Sequence, residues 1–159
     1  MLYVAISVYA TAMTAANLSI AFFGPWVSPI NAFVLIGLDL ALRDWLHVRL
    51  RAWQMGALIA GTGALTYILN PAAGMIAVAS AAAFIAAAVV DWSVFARVTG
   101  SWARRANASN VAGAAVDSLV FPTLAFGVLM PHIVALQFVA KVAGGAVWTY
   151  LLGGIKHGR

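Results

Sequence analysis

The chain has 159 residues, 64% of them hydrophobic and 8% charged, with a formal net charge of +5. Nine Lys and Arg and four acidic side chains cannot cover a soluble domain of this length, for which charged residues run at about 25%, so the composition excludes a water-soluble fold. It predicts a single integral membrane domain over residues 1–159. The basic balance does not point to nucleic acid, because the basic residues sit in short connectors rather than on one face.

A bilayer-spanning helix needs about 20 mainly apolar residues. Six such runs follow in chain order, over residues 2–23, 29–46, 53–69, 72–98, 110–130 and 132–155. They are separated by "GPWVSP", "HVRLRA", "NP", "TGSWARRANAS" and "MP", the Pro, Gly and charged punctuation of helix ends. The first run is apolar from Met1 with no basic leader, and reads as a retained helix. The fold class expected is therefore all-α, a polytopic bundle of six transmembrane helices.

Charge tests that count. Arg49 and Arg51 follow the second run, Arg97, Arg104 and Arg105 surround the connector after the fourth, and Lys156 and Arg159 follow the sixth. The connectors after the first, third and fifth runs hold no Lys or Arg. Six spans put every basic connector on one side, which the positive-inside bias makes cytoplasmic, with both termini there. In the third run Gly56 with Ala60 and Ala57 with Gly61 have the small-xxx-small spacing of close helix packing, and the fourth run is Ala-rich.

The absence of cysteine excludes thiolate and disulfide chemistry, there is no Glu, and His47, His132 and His157 are isolated. No metal site, cofactor or catalytic residue is expected, and the chain reads as a non-enzyme.

Charged groups inside a span cost about 2.5–3.5 kcal/mol each and ask for a partner or a ligand. The acidic inventory is Asp39, Asp44, Asp91 and Asp117. At 100° per residue Asn110, Ala114, Asp117 and Phe121 share one face of the fifth run. Asp117 sits about 12 Å along the axis from the start of "SNVAGAAVDSLVF", too deep to snorkel. Gln137, Lys141, Gly144 and Trp148 share a face of the sixth, where Lys141 is the one cation well inside a span. Lys141 can pair with Asp117 or Asp39, reach the interface, or meet a ligand.

Asn31, Asp39 and Arg43 lie in the second run, with Asp39 and Arg43 at the i,i+4 spacing of an intrahelical pair. Asp91 precedes Arg97 by six residues, and a contact with Arg97 or another inner-end Arg stands beside a ligand role for it. Asn17 continues a neutral polar stripe with Thr11 and Thr14, which suits interhelical hydrogen bonds. Trp26, Trp45, Trp53 and Trp102 fall at helix ends, where aromatic belts place them, whereas Trp148 shares the Lys141 face.

In order, "AANLSIAFFGPWVSPINAFVLIGLDLALRDWLH", "VVDWSVFARV", "RRANASNVAGAAVDSLVFPTLAFG" and a lysine in the last helix resemble the VUT family of vitamin-uptake transporters, now associated with queuosine precursors. The resemblance covers most of the chain. It implies an architecture like that of the six-helix substrate-binding components of energy-coupling-factor transporters, in a bacterial inner membrane. It implies a 7-deazaguanine substrate, such as 7-cyano-7-deazaguanine or its aminomethyl relative. The family's polar positions are matched by Asn17, Asp39, Arg43, Asp91, Ser109, Asn110, Asp117, Ser118 and Lys141.

A guanine-like edge offers N–H groups to a carboxylate and a carbonyl to an amide or Lys. Asp117 or Asp39 suits the first role and Asn17, Asn110, Gln137 or Lys141 the second, with Phe121 or Trp148 stacking on the ring. No G-x-x-x-x-G-K-[ST] occurs, so any use of ATP needs a separate energising module. Partners beyond the substrate and the bilayer are that module or further copies of the chain. The alternatives are a binding component for another vitamin-like molecule and a non-transporting membrane scaffold, which leaves the intramembrane carboxylates unexplained.

Overall fold

A computed structural model describes residues 1–47 and 49–156, with the side chains of all of these except 43–45, 47, 52, 102, 103, 105, 106, 149 and 152–156. Expectations placed on the side chains of Arg43, Asp44, Trp45, His47, Trp102, Arg105 and Lys156, and on His157 and Arg159, lie outside the described residues.

Among the described residues there is no strand, and six helices carry the chain. Lipid offers the backbone no hydrogen-bond partners, so an apolar chain satisfies its N–H and C=O groups within helices. Helix α1 spans Leu2–Phe23 and ends at Gly24, whose φ of 77° lets the chain reverse. Helix α2 runs continuously from Pro25 to His47 in four pieces: a 3-10 turn Pro25–Val27, an α turn Ser28–Asn31, a π turn Ala32–Ile36 and an α segment Gly37–His47. Helices α3, α4, α5 and α6 span Ala52–Leu69, Gly74–Arg97, Trp102–Phe126 and Pro131–Lys156. The stretches Leu2–Phe23, Pro25–Leu42, Pro71–Arg97 and Asn107–Phe126 are each long and apolar enough to cross a bilayer. The bundle of six helices matches the class expected from the sequence.

Two helix starts differ from that expectation by four residues or more, and α5 stops at Phe126, short of the expected residue 130. Helix α2 begins inside "GPWVSP", because Pro25 is pre-set for a first helical turn, and this makes Ser28 a buried helix residue rather than part of a loop. Helix α5 begins eight residues early, where the Ser101 hydroxyl accepts from the Arg104 N–H at 3.4 Å as an N-cap. Polar residues there resemble a connector, yet a helix needs apolar side chains only where something apolar surrounds it. The helix also keeps going through Pro122, which cannot donate to the Ser118 carbonyl one turn back.

Helices α4 and α5 make the most extensive contact in the molecule. Ala79, Ala83, Ala87 and Ala114 are buried, and a Cβ on Gly113 would sit 3.4 Å from the Asp91 Cβ. Helix α6 lies along α2, and there the backbones touch. A Cβ on Gly37 would come within 2.7 Å of the Gly144 carbonyl carbon, and one on Gly144 would run into the Phe33 carbonyl.

Helix α3 packs on α1 and α4 through Met55, Thr62 and Thr66. Its small residues do not do the packing: Gly56, Ala57, Ala60 and Gly61 are exposed, and a Cβ on Gly56 or Gly61 would meet nothing within 4 Å. The spacing marks a smooth face, but among the described residues no helix lies against it.

Two apolar clusters bracket the interior. Tyr9, Leu46 and Met55, joined by Met13, close one end of α1, and Ile20, Ile76, Ala79, Ala83 and Phe121 close the other. Asn17 lies between Met13 and Ile20, so the polar layer sits between two greasy ones.

Candidate functional site

Five helices converge on that layer. Asn17 from α1, Ser28, Asn31 and Asp39 from α2, Ser80 and Phe84 from α4, Asp117 and Phe121 from α5, and Gln137 and Lys141 from α6 line one cavity. Helix α3 contributes nothing to it.

A polar chain crosses the cavity. Lys141 Nζ lies 2.6 Å from Asp117 Oδ2 and donates to Gln137 Oε1 at 3.0 Å. Gln137 Nε2 in turn donates to Ser28 Oγ. The direction of these bonds is forced, since an ammonium only donates: Gln137 must turn its oxygen to Lys141, hence its amide nitrogen to Ser28. Lys141 is 3% exposed and Asp117 23%, so the cation is sealed in and the carboxylate keeps an open side. The pair offsets what each charge would cost alone in an apolar interior.

A second, neutral set faces it. Asn31 Nδ2 donates to Ser19 Oγ at 2.6 Å and to the Ala16 carbonyl at 3.2 Å, and Ser80 Oγ donates to Asn17 Oδ1 at 2.7 Å. Asp39 is fully buried on the wall nearer the Tyr9 and Leu46 end.

The structure therefore brings Asn17, Asn31, Asp39, Asp117, Phe121, Gln137 and Lys141 together, and it leaves others out. Asn110 shares the helical face of Asp117 but lies about 10 Å further down the axis and is exposed, past the edge of the cavity. Trp148 is half-buried two turns beyond Lys141 and does not reach the wall. Asp91 packs against Gly113 in the α4–α5 contact. Ser109 and Ser118 are buried between helices, not on the cavity. The Arg43 side chain lies outside the described residues.

Ser28, Ser80 and Phe84 join the site without having been expected there. Ser80 is the one hydroxyl in "IAVASAAAFIAAAVV", and Phe84 the one ring, which is the signal that marks them: Phe84 follows Ser80 at i,i+4 on one face.

The space left among these groups is about 40 Å³, against about 300–1,000 Å³ for a typical small-molecule site. The walls here are closed around their polar groups. Among the lining groups Met13 is an unbranched, adaptable side chain.

A multi-pass helical membrane protein with a charge-bearing site enclosed by five of its helices has the build of a small-molecule transporter. Residues 3–154 match the family described as "Putative vitamin uptake transporter", and the chain belongs to that family. No curated protein and no solved structure matches the chain.

Proposed function

We propose that the protein imports a queuosine precursor, a 7-deazaguanine such as 7-cyano-7-deazaguanine, across the bacterial inner membrane. The observation that carries this reading is the chain Asp117–Lys141–Gln137–Ser28, fixed at the junction of helices in an otherwise apolar interior. A scaffold can hold its helices by apolar and small-residue packing alone, whereas a carrier of a polar heterocycle needs donors and acceptors at mid-depth. Phe84 and Phe121 supply flat apolar surface beside them. Ligand entry widens the cavity, and any ATP that drives it comes from a partner. The basic connectors orient both termini to the cytoplasm.

The test is uptake in a bacterial host that can neither make nor import 7-deazaguanines, read as queuosine in its tRNA. Expression of this chain restores queuosine, and the Asp117→Asn variant, inserted to the same level, does not. Absence of queuosine with the wild-type protein in the membrane sinks the substrate assignment.

A further inference from the structure

The Asp117–Lys141 contact is a single-point ion pair. Only Oδ2 of the carboxylate touches the ammonium, and among the described residues no group hydrogen-bonds Asp117 Oδ1. Lys141 carries three N–H donors, of which Asp117 and Gln137 use two. The third has no acceptor among the described residues although Lys141 is 3% exposed. An unused donor on a buried cation is costly, and it lies beside an unused carboxylate oxygen on the wall of the same cavity. Together they make an adjacent donor and acceptor held in register by the ion pair.

We propose that substrate binds without breaking this pair, which reads a cyclic amide edge as a unit: the ring carbonyl accepts the third N–H of Lys141 while the adjacent ring N–H donates to Asp117 Oδ1. Cyclic amides present those two groups side by side and in one plane, as the pair requires. Gln137 and Ser28 act as positioning residues, since Gln137 holds the ammonium and is itself held by Ser28. A ligand bound this way keeps the buried charges neutralised throughout, so the site is never asked to expose a lone ion to the apolar interior. The inference rests on the import reading above and specifies what part of the substrate is recognised.

The test is equilibrium binding to the purified protein in lipid nanodiscs with three ligands: 7-cyano-7-deazaguanine, its thiocarbonyl analogue, which keeps the ring N–H but accepts hydrogen bonds poorly, and its analogue methylated on the amide nitrogen. The wild-type protein binds each analogue about ten- to a hundredfold more weakly than the parent, the scale of one hydrogen bond to a charged group. Lys141→Met erases the discrimination at the carbonyl and Lys141→Arg retains it, with folding followed by monodispersity in gel filtration. Equal wild-type binding of parent and thiocarbonyl analogue overturns the proposal without any variant being needed, as does discrimination against the thiocarbonyl that survives in a folded Lys141→Met protein. If the wild-type protein binds no 7-deazaguanine at all, the import reading fails instead, and the two failures are thereby separated.

Discussion

Small residues serve opposite ends in two parts of this molecule. Where α2 crosses α6, Gly37 and Gly144 bring the two backbones into contact and so set the depth at which Gln137 and Lys141 on α6 face α2 and α5. On α3, Gly56 and Gly61 occur at a spacing just as suggestive, yet they face outward and touch nothing. A glycine pattern states only that a close approach is sterically open. Whether it is used depends on where apolar and polar partners elsewhere pull the helix, and the polar chain pulls α6 inward while nothing comparable acts on α3.

The comparison is broken most severely at the polar chain. Asp117→Ala leaves the Lys141 ammonium buried with Gln137 as its remaining partner, and should cost about 3 kcal/mol, the scale for orphaning one member of a buried pair. Thermal unfolding in detergent measures it through tryptophan fluorescence. A midpoint unchanged from wild type would show that the pair is not holding α5 to α6.

Next comes Gly144→Ala, whose added methyl meets the Phe33 carbonyl and can be relieved only by parting α2 from α6. The expected loss is about 2 kcal/mol, in the range of overpacking, with reduced substrate binding because Lys141 shifts with its helix. Wild-type stability in this variant would remove the crossing as the element that sets the site.

Lys141→Met should be milder for stability than Asp117→Ala, at about 1 kcal/mol, because the carboxylate it leaves behind is 23% exposed and so less fully desolvated than the 3% exposed ammonium. The reverse order of the two losses, in the same unfolding assay, would mean that Asp117 rather than Lys141 is the sealed partner.

The sequence made the helix count legible, since apolar runs of bilayer length alternate with Pro, Gly and Arg, and it made Asp117 and Lys141 stand out as charges at a depth where charges are expensive. Three things were hidden. Ser28 sits in a Pro-flanked stretch that reads as a connector until the π turn and the α2–α6 crossing draw it into the interior. Asn110 obeys the right angular periodicity, but periodicity fixes a direction around the helix and not a depth along it, so it could not show where the cavity ends. The partner of Asp117 was open between Lys141 and a ligand, and the structure supplies the 2.6 Å contact, which requires the relative height of α5 and α6 and hence tertiary packing.

The smallest effect belongs to α3 and carries the opposite sign. Gly56→Ala and Gly61→Ala add a methyl into open space on a helix, so each should leave the fold intact and raise stability by about 0.5–1 kcal/mol through helix propensity alone. Transport should be unaffected, since α3 adds no residue to the cavity. The contrast with Gly144→Ala, the same substitution on the same kind of residue, is then a difference of about 3 kcal/mol in opposite directions. If Gly61→Ala instead destabilises the protein in a native membrane while stabilising it in detergent, the smooth face of α3 is in contact with something that detergent strips away, and the asymmetry between the two helices would belong to the isolated chain rather than to the working transporter.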